Sequence, residues 1–150
     1  MIRSDAELDD TRAKVQEQES RLASYRRELE RNRLPAADVE RALEPIRAFA
    51  RQLHESIEEY ERIRRGELPE ISSVDALGAA LVAARVAAGV TQRELAARLG
   101  VHESQVSRDE KNDYHGVTIE RAAKVLASIG VRFCGTLSLD RTASAEGKVL

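Results

Sequence analysis

The stretch Val90 to Arg108, VTQRELAARLGVHESQVSR, constrains this chain more than any other. Thr91 and Gln92 open a helix whose apolar face is Leu95, Ala96 and Leu99. Gly100 and Val101 make a sharp turn. Among the next seven residues only Val106 is strongly apolar. A helix that buries so little of itself must be held by its neighbours, which leaves its other faces free to meet something outside.

The rest of the composition fits small helical cores. Of 150 residues 33% are charged and 3% aromatic, with no Trp, which argues against an all-β fold. Met1 to Asp10 lacks the apolar run of a signal peptide, and no segment approaches the roughly 18 apolar residues of a membrane span. The single cysteine, Cys134, excludes an internal disulfide framework. These features lead us to expect a soluble cytoplasmic protein without membrane association.

Two long helical patterns precede the opening stretch. From Asp5 to Arg33, Leu8, Val15, Leu22 and Leu29 recur every seven residues as a narrow stripe. Leu34-Pro35 ends that pattern, because a residue before proline is pushed out of the α region. From about Ala37 to Arg65 a wider stripe follows, with Val39, Ile46, Leu53 and Tyr60 flanked by Leu43, Ala50, Ile57, Phe49 and Ile63. Pro45 lies inside it and is expected to kink or divide the helix. The pair suggests an antiparallel hairpin. Four heptads leave two options open: a stripe folded on its own partner helix, or a coiled-coil or partner surface.

The expected organisation is all-α. Residues 1–66 form a helical hairpin for dimerisation or partner binding, and 67–73 (around GELPEISS) form a linker. Residues 74–131 form the compact helical domain, and 132–150 a short strand and flexible tail. Within the compact domain, Ser72 or Ser73 caps a helix from about Val74 to Ala88. Thr118 caps a last helix, Ile119 to Ile129, with apolar positions Ile119, Ala122, Val125, Leu126 and Ile129. Lys111 to Val117 is a polar loop. Val131 to Leu139 alternates and is rich in strand formers, predicting a strand with Cys134 as a buried, inert thiol.

A helix, a glycine turn and a second, polar helix is the arrangement of a helix-turn-helix, whose second helix enters the DNA major groove. Leu77 to Glu110 resembles the Xre/Cro family of phage-repressor-like domains. The matching positions are Leu77, Leu81, Arg85, Gly89, Val90, Thr91, Gln92, Leu95, Ala96, Gly100, Val101, Val106, Ser107 and Glu110. The resemblance implies a five-helix domain over about 73–131 that binds double-stranded DNA. The amino-terminal half is not part of that family, although it looks like the helical extension of some antitoxin-like regulators.

Each matched residue has a physical reason. Thr91 caps its helix, and Gln92 sits where a side chain and a helix amino-terminus meet a phosphate. Gly100 allows the positive φ of the turn. His102 stands where the family more often has Ser or Thr, which weakens the cap or gives His102 a phosphate role. Val106 points inward, so Glu103, Ser104, Ser107 and Arg108 point out, and the family places its base contacts there. Arg108 suits a guanine edge and Ser104 a base or a thymine methyl, while Gln105 reaches a base or a phosphate. Glu103 accepts from cytosine, excludes wrong sequences or orients Arg108. Lys111, Asn112, Tyr114 and His115 lie in the loop that approaches the sugar-phosphate backbone in such folds. The resemblance also implies a buried structural ion pair between Arg85 and Glu110, and Asp109 departs from the family's apolar preference.

Residues 71–135 hold 8 Lys/Arg against 7 Asp/Glu, and the whole chain has net charge −2. Such a near-neutral reading unit binds phosphate weakly by itself, which favours a homodimer. The leading expectation is a transcriptional regulator, a repressor, on a palindromic operator. One alternative is an antitoxin that binds its own promoter and holds a toxin protein. Another is an interaction adaptor without DNA binding. No HExxH, CxxC or Gly-rich phosphate loop occurs, the three histidines lie on separate elements, and Glu58-Glu59 reads as a solvated face. No enzyme activity, cofactor or metal is expected.

Overall fold

The two heptad stripes face each other. In the computed structural model, which describes residues 1–136, α1 (Asp5–Arg31) and α2 (Ala36–Arg64) run antiparallel around a short turn. Ser4 caps α1 by accepting from the Glu7 amide at 3.2 Å. Arg33 takes a left-handed conformation, φ 56°, just before Leu34-Pro35 reverses the chain. Leu29, Val39 and Leu43 fill the turn end of the hairpin. Tyr60 donates to Asp5 at 2.9 Å at the open end, and Arg26 meets Glu40 at 2.9 Å near the turn. The exposed Arg26–Glu40 pair adds little to stability. Of the two outcomes expected of Pro45, a kink or a division, the division does not occur. α2 is continuous from Ala36 to Arg64.

The open end of the hairpin docks on α3 (Leu77–Ala87), which a single tight helical turn at Val74–Ala76 precedes. Ile2, Leu8, Tyr60 and Ile63 pack against Ala83 and Val86. The opposite side of α3 presents Leu81, Val82 and Ala84 to the second core. A helix clad on both sides has to be small and apolar all round, and this one reads LGAALVAARVA. Ser73 stands at the amino-terminal cap of the tight turn without making the expected side-chain bond.

α4 (Gln92–Leu99), α5 (Glu103–Lys111) and α6 (Ile119–Ile129) complete the domain. Leu95, Ala96, Val106, Ala122, Val125 and Ile129 join Leu81 and Val82 in one core. Gly100 ends α4 in the left-handed conformation, φ 67°, at no steric cost. The five-helix expectation becomes four α-helices and the tight turn among the described residues. Ile119, assigned to the apolar face of α6, is 87% exposed, and Val117 packs on the core in its place.

The expected strand is absent over the residues that are described. Val131–Thr136 has no regular structure, because an extended segment needs a partner strand and none lies among the described residues. Residues 137–139 of that prediction lie outside them, as does the expected tail. Cys134 is exposed, which corrects the expectation of a buried thiol.

Gly78 is the most closely approached of the described glycines. A β-carbon there would lie 1.7 Å from the carbonyl oxygen of Asp113, so α3 and the loop after α5 touch backbone to backbone. Helix propensity alone predicts that Gly78→Ala stabilises by about 1 kcal/mol. The contact predicts the opposite, a loss of roughly 2 kcal/mol or more in urea unfolding. A stabilised variant would show that the loop yields freely.

Candidate nucleic-acid interface

The outer face of α5 carries the polar residues. His102, Glu103, Ser104, Gln105, Arg108, Lys111 and Asn112 are exposed, Ser107 is half-buried, and Val106 and Glu110 are buried. Val106 and Glu110 are thus the two buried anchors of a helix whose exposed positions are all polar. Arg108 makes no ion pair among the described residues.

His102 caps α5 with its ring. Nδ1 accepts from the Ser104 amide at 3.3 Å and lies 2.9 Å from the Ser104 hydroxyl. The imidazole thus supplies the acceptor that Ser or Thr supplies elsewhere, provided Nδ1 carries no proton. Ser104 is tied to this cap, which fixes its rotamer at the first turn.

α4 begins with a reciprocal cap. Thr91 Oγ1 accepts from the Glu94 amide at 3.1 Å, and the Thr91 amide donates to Glu94 Oε2 at 2.8 Å. The Thr91 amide and hydroxyl hold the Glu94 carboxyl below its usual range. Sequence reasoning found Thr91 but not its partner, although T-x-x-E spacing is the signal. Arg93, also unassigned from sequence, is exposed beside this cap.

Behind both helices lies a buried polar knot. Arg85 and Glu110 are 3% and 0% exposed. Arg85 Nε donates to Glu110 Oε1 and Nη2 donates to Oε2 at 2.7 Å. Arg85 Nη1 reaches the Val90 carbonyl at 2.8 Å. Gln92 Nε2 donates to Glu110 Oε2 at 2.8 Å. Gln92, expected to meet a phosphate, spends one amide hydrogen inward and keeps the other.

Asp109, the departure from the family pattern, is paired. Arg121 Nη2 donates to Asp109 Oδ2 at 3.4 Å, and the Asp109 carbonyl accepts from the Tyr114 amide at 2.7 Å. An ion pair between α5 and α6 therefore stands where the family it resembles more often has an apolar residue.

Tyr114 corrects the sequence reading. It was grouped with the backbone-facing loop, yet it is 4% exposed and belongs to the core of α3 and α6. Asp113 and Tyr114 both have positive φ, 45° and 53°, and this double left-handed turn directs the ring inward. His115 stays exposed. The Tyr114 hydroxyl has no hydrogen-bond partner among the described residues. No cluster of potential metal ligands occurs among the described residues, and no single helix there is long and apolar enough to cross a membrane.

Burial, aided by the Glu110 charge, pushes the Tyr114 phenol far above its ordinary value of 10.0. Its contribution to stability is intact below pH 10.0, where both states hold the proton. It is lost as pH rises further, because the unfolded chain ionises first. Tyr114→Phe removes an unpartnered hydroxyl, so it should leave stability at neutral pH unchanged or raise it by up to about 1 kcal/mol. The variant should also lose less stability between neutral pH and about pH 11 in urea unfolding. Destabilisation at neutral pH would mean that the hydroxyl is satisfied after all.

Residues 81–134 match the helix-turn-helix family model. No curated protein and no solved structure is significantly similar to the chain.

Proposed function

We propose that residues 81–134, which match the helix-turn-helix family model, form a DNA-binding domain of the Xre/Cro type, and that this chain represses transcription as a homodimer on a palindromic operator. The observation that supports this reading most is the outer face of α5, polar from Glu103 to Arg108 apart from buried Val106. Arg108 offers a bidentate pair to a guanine edge, with Ser104, Ser107, Glu103 and Gln105 beside it in the groove. His102 and Thr91 hold the starts of the two helices that meet the duplex. Gln92, through its remaining amide hydrogen, and Lys111 and Asn112 take phosphates, which set register but carry no sequence.

The homodimer follows from magnitude. A reading unit with 8 cations against 7 anions gains little from counterion release, so one copy binds weakly. Two copies double the contacts and read two half-sites about 34 Å apart, one helical turn. Repression then follows from occupancy of a promoter.

Selection of random duplexes with the full chain tests this. We expect an enriched sequence with two-fold symmetry, bound at two chains per duplex. Arg108→Ala should reduce affinity for that duplex by about 1–3 kcal/mol per half-site and relax its preference at one position of each half-site. Lys111→Ala should weaken all duplexes alike and lower the salt slope by about one per bound chain, or about two for the dimer. Enrichment of no sequence, or unchanged recognition by Arg108→Ala, contradicts the reading.

A further inference from the structure

The residues ahead of α1 reach into the polar knot behind the recognition helix. Arg3 Nε donates to the carbonyl of Glu110 at 3.1 Å. Arg85 Nη2, already on Glu110, also donates to the Arg3 carbonyl at 2.8 Å. The Arg3 guanidinium lies 3.7 Å from Asp113 and its side chain is 18% exposed. Arg3 is itself held on both sides. Its amide donates to Glu7 Oε2 at 2.8 Å, and its neighbour Ile2 is buried among Leu8, Tyr60, Ile63, Ala83 and Val86.

The geometry points to Arg3 as a positioning residue for DNA reading, through which the amino-terminal hairpin fixes the recognition helix. This inference rests on the proposed reading of DNA by α5. Arg3 stands outside residues 81–134, and its polar partners are Glu7, Arg85, Glu110 and Asp113, none of them an outward-facing residue of α5. It grips the last turn of α5, where a cation also complements the negative end of the helix. Glu110 is two residues from Arg108. A bidentate base contact tolerates about 0.5 Å of misplacement, so a loosened last turn costs the specific contact first. Phosphate contacts, which adapt to small shifts, change little. The chain therefore reads DNA with a surface whose alignment comes from the hairpin.

The test compares affinity for the duplex that the wild-type full chain selects with affinity for an unrelated duplex of equal length. Arg3→Ala should lower the ratio roughly five- to tenfold and leave the unrelated duplex and its salt slope unchanged. Arg3→Lys should restore most of the ratio, since an ammonium also donates to the Glu110 carbonyl. Without DNA, the amides of Asn112 and Asp113, which close the end of α5 on Arg108 and Glu110, should exchange faster in Arg3→Ala. An unchanged ratio overturns the inference alone. Equal loss on both duplexes also overturns it, by making Arg3 a phosphate contact. Unchanged exchange overturns the positioning role whatever DNA does. A wild-type chain that selects no sequence overturns the DNA reading and this inference with it.

Discussion

The Arg85–Glu110 pair is the constraint on which the rest depends. Taking both charges out of water costs several kcal/mol per ion, and attraction repays that only when the remaining donors and acceptors are also satisfied. Here they largely are. The guanidinium reaches both Glu110 oxygens and the carbonyls of Val90 and Arg3, and the carboxylate accepts Gln92 as well. The pair thus binds α3, the turn before α4, the end of α5 and the chain's first residues to one another. Its return is geometry. Each segment is held to a point rather than to an apolar surface over which it can slide.

That geometry explains how α5 affords its composition. ESQVSRDEK has one strongly apolar residue, and alone it would be a marginal helix. Val106 and Glu110 anchor one side, His102 and Asn112 close the two ends, and the Asp109–Arg121 pair ties it to α6. Apart from the His102–Ser104 cap, the outer face then carries no side-chain bond that holds the fold among the described residues. Rigid presentation of polar side chains is what direct readout of base edges requires. The hairpin belongs to the same arrangement, since α3 packs on both cores and Arg3 reaches the knot.

Much of this was legible in sequence because it is local. Heptad spacing gave the hairpin to within a residue or two at each helix end. Thr91, Gly100 and Thr118 marked helix boundaries, and the spacing of Leu95, Ala96 and Val106 oriented the motif. What was not legible depends on contacts between distant residues. Nothing near Arg3 signals Glu110, 107 residues away. Gly78 looks like a weak helix position until the Asp113 carbonyl is found against it. Tyr114 sits in a polar run, and only the paired left-handed residues turn it into the core. Val131–Thr136 has strand-forming residues but no strand to join among the described residues. Ile119 fits the period of α6 but falls at its first position, beyond the reach of the core.

The central claim is that the buried pair sets the alignment of α5 more than it stabilises the fold. Replacing both partners together, Arg85→Met with Glu110→Leu, and measuring unfolding alongside selective DNA binding tests this directly. The account predicts a folded chain of equal or greater stability whose preference for its selected duplex over an unrelated one is largely lost. A double variant that keeps that preference would contradict it.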